Sequence, residues 1–171
     1  TTSSNVNPVV CSSHEYYYYY ASNSKNCFVD SSNISGGYSG AYIYGATSAG
    51  GTHQNVRFTD NKFFNNNQYG IYALGCHNVH LLNNHIDMSA STSTSHYGLY
   101  VYYLNGNSTA GTDSSTISGN IIPVIGRGGI FVYYSDNSSS NRGLISNNMI
   151  GGTAEYTSTT YGLYLYYADN W

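Results

Sequence analysis

A short phrase recurs along this chain and restricts its fold more than any other feature. The phrase starts with glycine in five of its six copies, has an aromatic residue two positions later, and mostly places aliphatic residues on either side of that ring. Apolar residues that alternate in this way, with a period of two, are typical of a β-strand with two different faces. The six copies begin at intervals of 25–33 residues, at Glu15, Gly40, Gly70, Gly98, Gly129 and Gly162.

A second phrase follows each of the first five copies and contains a polar corner residue. This residue is Ser32 in the first copy and asparagine in the other four, at Asn61, Asn84, Asn120 and Asn148. Apolar residues stand two positions after each corner and three positions before it. If successive copies stack as parallel coils about 4.8 Å apart, each corner amide can bond the next. The pattern predicts a solenoid with an asparagine ladder along one corner.

These two phrases resemble the repeats of the right-handed parallel β-helix family, the pectate-lyase-like solenoids. The resemblance rests on the glycine-aliphatic-aromatic starts and the Asn-x-Ile or Asn-x-Phe corners, and it covers nearly the whole chain. It implies an all-β fold of about six coils in one domain over residues 1–171, with incomplete first and last coils. We expect almost no helix, because the sequence shows no convincing apolar stripe of helical period.

The tyrosines, 21 in all, are expected to cover one outer face of this solenoid. If the first and third positions of the phrase face inward, the second and fourth face outward and form two columns. The first column contains Tyr17, Tyr42, Tyr72, Tyr100, Phe131 and Tyr164. The second contains Tyr19, Tyr44, Leu74, Tyr102, Tyr133 and Tyr166. The columns either stabilise the sheet by stacking or offer an aromatic surface to glycan rings or to another solenoid.

Charged residues are too few and too scattered to indicate a catalytic or nucleic-acid-binding site. The chain has 5 Lys and Arg against 8 Asp and Glu, so we expect no nucleic-acid partner, and no apolar run is long enough to span a membrane. Enzymes of the resembled family use clusters of Asp with Arg or Lys, often with calcium, and no such cluster is recognised here. Asp136 and Asp169 share a phase and are weak candidates for a calcium site. We therefore predict a protein without catalytic residues or a cofactor.

A stretch from Cys76 to His85 brings cysteine and histidine together without indicating a metal site. Zinc sites use these residue types, but Cys76 aligns with small residues of the other copies and the histidines alternate with buried positions. Cys11 and Cys27 are candidates for a disulfide across the first coils. Three sequons, at Asn33, Asn107 and Asn137, are candidates for N-glycosylation in a secreted protein. We expect an extracellular or cell-surface location.

The two ends of the sequence suggest self-assembly. The last phrase stops at Trp171 before any corner asparagine, and the first residues match the second phrase, with Asn5 over Asn120. Placing Trp171 of one copy before Thr1 of the next completes a coil in this alignment. The predicted contact surfaces of the ends are Thr1, Asn5, Tyr16, Tyr17, Tyr18, Tyr19, Tyr20, Gly162, Leu163, Tyr164, Leu165, Tyr166, Tyr167 and Trp171.

Two functions follow from this sequence. The first is a structural unit of an extracellular β-helix filament or adhesin, either a free subunit that polymerises head to tail or one unit of a longer tandem chain. The alternative is a secreted β-helix that binds or processes polysaccharides.

Overall fold

A computed structural model of the chain describes residues 7–11, 25–45, 53–104, 114–135, 142–152 and 160–171. These residues form sixteen strands and no helix. Every strand pair is parallel, and each strand pairs with the strand three places away in the chain. The chain therefore passes through three sheets in turn and then repeats, which confirms the predicted all-β solenoid.

The three sheets are named here A, B and C in the order in which the chain enters them. Sheet A has six strands: β1 (Val9–Cys11), β4 (Ser39–Tyr44), β7 (Tyr69–Leu74), β10 (Tyr97–Tyr102), β13 (Gly128–Tyr133) and β16 (Tyr161–Tyr166). Sheet B has five: β2 (Lys25–Asp30), β5 (His53–Thr59), β8 (Cys76–Leu82), β11 (Thr116–Ser118) and β14 (Leu144–Ser146). Sheet C also has five: β3 (Asn33–Ser35), β6 (Lys62–Phe64), β9 (His85–Asp87), β12 (Ile121–Ile122) and β15 (Met149–Ile150).

The core is built by stacking like positions of successive coils. In sheet A, Leu99 lies between Ile71 and Ile130, and all three side chains are buried. In sheet B, Leu81 likewise lies between Phe58 and Ile117. Each inward residue thus packs against its equivalents above and below, which is how short strands that cannot bury an apolar face alone form a continuous core.

The recurring glycine of the first phrase is explained by the packing of sheet C against sheet A. A Cβ atom on Gly98 would lie 2.7 Å from Cγ2 of Ile122 and 2.8 Å from the backbone oxygen of Gly129. Gly40, Gly70 and Gly129 face equivalent obstructions. The apolar residue two positions after each corner fills the space where a side chain would be, so glycine is required at this point.

The first coil differs from the prediction. The phrase beginning at Glu15 was expected to stack on the phrase beginning at Gly40, but β1 occupies that place, with Val9 opposite Ala41 and Cys11 opposite Ile43. The Asn7 side chain accepts a hydrogen bond from the Ser39 amide at 2.9 Å and helps to set this register. The predicted alignment of the first residues with the second phrase is wrong for the same reason, because Val9 pairs with Ala41 of sheet A.

The number of turns is also smaller than predicted. Sheets B and C contain five described strands each, so the described part of the chain makes fewer complete turns than the six coils expected. Sheet A still has six strands, because β1 takes the place that the prediction gave to the phrase at Glu15.

Candidate functional site

The outer face of sheet A carries the first predicted column of rings. Tyr72 stacks on Tyr42 with ring centroids 5.1 Å apart, and Tyr100 stacks on Tyr72 at 5.5 Å. Phe131 continues the column at 5.4 Å, and Tyr164 ends it at 4.4 Å. All four pairs are nearly parallel, with interplanar angles from 5° to 14°. The predicted column is present from Tyr42 to Tyr164, whereas Tyr17 lies outside the described residues.

The second column is shorter than expected. Tyr133 lies 5.3 Å from Tyr102 and 4.7 Å from Tyr166, measured between ring centroids. The column is interrupted at Leu74, which is buried, and Tyr44 is also buried. The exposed part of this column therefore runs over the last three strands of sheet A, and Tyr19 is outside the described part of the chain.

Stacking decides what these columns present to a ligand. A ring inside a column has both faces covered by its neighbours, so its edge and hydroxyl group point outward. Glycan rings bind aromatic side chains through the faces, and within the first column neighbouring rings occupy those faces. An open face remains for the last ring of a column, which makes the β16 end chemically different from the middle of the sheet.

A third row of tyrosines, which the sequence interpretation missed, lies at the corner after sheet A. Tyr103, Tyr134 and Tyr167 stack with centroids 5.4 and 5.0 Å apart and interplanar angles of 14° and 6°. The signal was present in the sequence, because each of them follows the second-column tyrosine directly. Gly75 holds the same place after β7.

Burial and crowding raise the pKa of several phenols of sheet A. Burial, with smaller contributions from neighbouring phenols, raises the pKa of Tyr72 and of Tyr69 far above its usual value. Burial and a hydrogen bond with the Tyr103 side chain raise the pKa of Tyr102 to about 12. These three phenols therefore stay uncharged well above neutral pH.

The predicted asparagine ladder is confirmed and lies between sheets B and C. The Nδ2 atom of each asparagine donates to Oδ1 of the next, at 3.1 Å from Asn61 to Asn84, 3.0 Å from Asn84 to Asn120 and 2.9 Å from Asn120 to Asn148. The same Oδ1 atoms accept bonds from the backbone amides of the preceding corners. Asn61, Asn84 and Asn120 are buried, so the ladder satisfies polar groups that water cannot reach.

A second asparagine ladder lies on the outer surface of sheet B, within its strands, and was not predicted. Asn55 donates to Asn26 at 2.9 Å, and Asn78 donates to Asn55 at 3.3 Å. All three have positive φ angles, from 50° to 63°, a conformation that asparagine tolerates better than most residues. Each stands one position before an inward Cys or Val, which is the pattern that would have revealed it.

The remaining candidate residues are not brought together by the fold. Asp169 is exposed, and its proposed calcium partner Asp136 lies outside the described residues. Within the described ranges, no group of three or more His, Cys, Asp or Glu side chains is placed to hold a metal ion. Cys76 is buried, and burial raises the pKa of its thiol well above the usual range. His80 is half-buried and His85 is exposed, as expected for residues on strands.

The candidates for covalent modification are placed as follows. Cys11 and Cys27 form a disulfide that joins β1 to β2. Asn33 is exposed on β3. The other two sequons, Asn107 and Asn137, and the assembly candidates Thr1, Asn5 and Tyr16–Tyr20 all lie outside the described residues. Trp171 is partly buried against the core and donates from Nε1 to the Ser135 carbonyl at 2.7 Å.

The fold and its corner ladder agree with a comparison against protein families. The family model for the right-handed β-helix region matches residues 2–170. The chain belongs to the right-handed β-helix family. No curated protein and no solved structure matches this β-helix chain. The described residues of the β-helix include no helix that is long and apolar enough to cross a membrane.

Proposed function

We propose that this β-helix protein is a structural unit of an extracellular fibre or surface adhesin, and that it assembles end to end by stacking a second copy on β16. An exposed apolar coil carries the proposal. Leu163 and Leu165 occupy inward positions of β16, yet each is 46% exposed. Leu99 and Val101 occupy the same positions of β10 and are 0% exposed. A further coil on β16 would cover both leucines, as β13 covers the corresponding residues of β10.

The aromatic columns favour the same contact. Tyr164, Tyr166 and Tyr167 are the last described rings of three stacked rows. Each can continue its row by stacking on a ring from another coil, and such aromatic pairs contribute about 0.5–1.5 kcal/mol beyond the area that they bury. Fully burying an exposed leucine contributes about 1.5–3 kcal/mol. Leu163 and Leu165 are each about half exposed, so covering both contributes a comparable amount. These terms act together with hydrogen bonds along the free edge of β16.

Parallel pairing sets the direction of assembly. Because neighbouring strands of sheet A are all parallel, a copy that continues the sheet in the same sense must present its opposite end, which carries β1. This contact is heterologous and does not close on itself, so it produces an open filament rather than a dimer. The predicted completion of a coil between Trp171 and Thr1 does not support the junction, because it relied on matching the first residues to the second phrase, and β1 pairs in sheet A instead. The proposal rests on the exposed coil instead.

Two further observations support a structural, extracellular role. The Cys11–Cys27 disulfide is of the kind that persists in oxidising compartments. The outer face of sheet A carries rows of phenols, which are not the paired carboxylates that polysaccharide hydrolysis uses. We therefore infer a non-catalytic protein whose main partner is itself. Incubation with acidic and neutral polysaccharides, with and without calcium, tests this part, and release of shortened chains would contradict it.

Sedimentation velocity over a range of protein concentrations tests the assembly. We expect species larger than the monomer to increase with concentration, and electron microscopy to show particles that grow in one dimension. The double variant Leu163→Glu/Leu165→Glu should remain monomeric, because it places two charges on the coil that must be buried.

A matched control separates this effect from a general effect of added charge. Phe64 and Ile121 are 36% and 38% exposed on the outer side of sheet C, so Phe64→Glu/Ile121→Glu adds the same charge away from β16. This variant should assemble like the original chain. A chain that stays monomeric at every concentration, or a β16 double variant that assembles as well as the control, would overturn the proposal.

A further inference from the structure

Three tyrosines hold a backbone conformation that bulky residues rarely adopt. The φ angles of Tyr103, Tyr134 and Tyr167 are 53°, 48° and 46°, in the left-handed region. This conformation costs a residue with a Cβ atom about 1–2 kcal/mol, whereas glycine adopts it freely. After β7 the same place is held by Gly75, with φ of 61°. The chain therefore keeps tyrosine at three successive corners where glycine would relieve strain, and such strain concentrates at functional positions.

The strained tyrosines are paired with the tyrosines that precede them. Ring centroids lie 4.4 Å apart in Tyr102–Tyr103, 4.7 Å in Tyr133–Tyr134 and 4.5 Å in Tyr166–Tyr167. These six residues are called the corner phenol ladder here. It consists of three phenol pairs on successive coils, and the rings of Tyr103, Tyr134 and Tyr167 stack along it.

The ladder differs from the first column of sheet A in being phenolic at every level. In that column Phe131 stands between Tyr100 and Tyr164, so the row of phenols is broken by a ring without a hydroxyl group. In the ladder, Tyr134 lies within 5.4 Å of Tyr103 and 5.0 Å of Tyr167. Tyr167 is also 63% exposed, so a reagent in solution has direct access to one end of the row.

We propose that the corner phenol ladder is a site of oxidative tyrosine cross-linking, at which a peroxidase using hydrogen peroxide joins tyrosines of neighbouring coils. The oxidant removes one electron and one proton from each of two phenols. The two radicals couple through ring carbons next to the hydroxyl-bearing carbon, and each coupled carbon then loses its hydrogen as the ring regains aromaticity. One carbon–carbon bond forms, two ring C–H bonds break, and one peroxide is reduced to two waters.

The arrangement explains why coupling should occur within one chain. A radical on Tyr167 can couple with a second radical formed on Tyr134, since their rings are already in stacking contact, and rotation about the Cβ–Cγ bonds brings the ring carbons together. The phenolic proton passes to water, which reaches the ladder at the exposed Tyr167. The product would tie adjacent coils covalently at the corner after sheet A, where the backbone conformation is strained.

The experiment uses the full chain at high dilution, treated with peroxidase and hydrogen peroxide. After proteolysis, mass spectrometry should find peptide pairs lighter by two hydrogens, joining the Tyr102–Tyr103 peptide to the Tyr133–Tyr134 peptide and the latter to the Tyr166–Tyr167 peptide. Dityrosine fluorescence should appear while the sedimentation coefficient stays that of a monomer. The same treatment of Leu163→Glu/Leu165→Glu should give the same cross-links, so this result does not depend on assembly.

The control variant is Tyr103→Gly/Tyr134→Gly/Tyr167→Gly, which copies the glycine that the chain itself uses after β7. It should stay folded, because glycine suits the corner conformation, and it should lose most of the fluorescence and the peptide pairs. Cross-links that map mainly to tyrosines outside the ladder, or an unchanged yield in the glycine variant, would overturn the proposal. An absence of coupling under conditions that couple free tyrosine would overturn it as well.

Discussion

Strands β10 and β16 have almost the same sequence but very different surroundings. Residues 97–103, which form β10 and its corner, read YGLYVYY. Residues 161–167, which form β16 and its corner, read YGLYLYY. Leu99 and Tyr97 of β10 are buried, whereas Leu163 and Tyr161 of β16 are exposed. The difference comes from stacking, because β10 pairs with strands on both sides and β16 pairs with β13 alone in the described structure.

The comparison shows that in a solenoid the energetic role of a residue depends on its coil more than on its local sequence. The apolar edge of each coil stabilises the fold only when another coil covers it, which is the nearest-neighbour behaviour of repeat proteins. The same substitution made in an interior coil and in the β16 coil should therefore have unequal effects. Pairs of variants can measure the inequality directly.

The largest effect is expected in the asparagine ladder. Asn84→Ala removes the side chain that donates to Asn120 and Phe58 and accepts from Asn61, all in the buried corner. Each buried group left unpaired costs about 1–3 kcal/mol, so we expect a loss of about 4 kcal/mol in the free energy of unfolding. Asn148→Ala, at the less buried end of the ladder, should cost less than half as much. Urea unfolding measures both, and equal losses would show that burial does not separate the two coils.

The next effect concerns the equivalent leucines. Leu99→Ala should lower the free energy of unfolding by about 3 kcal/mol, because it leaves a cavity between Ile71 and Ile130. Leu163→Ala removes a side chain that is already half in water, so its cost at low protein concentration should be under about 1.5 kcal/mol. Unfolding curves recorded at a concentration where the chain is monomeric give the comparison. A Leu163→Ala cost as large as that of Leu99→Ala would mean that β16 is covered in solution.

A smaller difference is expected at the glycines. Gly98→Ala introduces a Cβ atom against Ile122 and the backbone of Gly129, and overpacking of this kind costs about 1–3 kcal/mol. Gly162→Ala meets Ile150 Cγ2 only at 4.0 Å, which is ordinary van der Waals contact, so its effect should be within about 0.5 kcal/mol. Thermal unfolding of both variants checks this. Destabilisation by Gly162→Ala at low concentration would contradict the open coil.

The smallest effect is a decline of stability in alkali. The pKa of Tyr102 is raised from 10.0 to about 12 in the folded chain, so unfolded molecules lose this proton first. The contribution of this residue to stability is therefore complete below pH 10 and falls as the pH rises from 10 toward about 12. Tyr102→Phe should make the decline shallower without changing its onset, as measured by urea unfolding at stepped pH. An unchanged slope would show that the Tyr102 phenol has no part in it.

The sequence allowed most of the core and the ladder to be predicted, because identical residues recur at identical phase. Leu99, Asn84 and Ile122 lie where the two phrases place them, since stacking puts like over like. The first coil could not be predicted in this way. Val9–Cys11 is short, lacks the leading glycine, and competes with a tyrosine-rich segment that matches the period-two pattern better. Its register depends on long-range contacts, such as that of Asn7 with Ser39, which no repeat reveals.

The corner residues were missed for a different reason. The predicted columns contain only alternate positions of the phrase, and Tyr103, Tyr134 and Tyr167 do not follow that alternation. Their alignment with Gly75 indicates a left-handed corner, because glycine at one copy of a repeat marks a backbone constraint shared by the others. A phase comparison that included the fifth position after each starting glycine would have found them.

The most direct test of end-to-end assembly is hydrogen exchange of the backbone amides in β10 and β16 at two protein concentrations. In dilute solution, the amides of Tyr161–Tyr166 should exchange faster than those of Tyr97–Tyr102, because one edge of β16 has no described partner strand. At a concentration where larger species form, protection of β16 should approach that of β10, while β10 stays unchanged. If β16 remains as exposed as before in the assembled material, copies meet at another surface and the account is wrong.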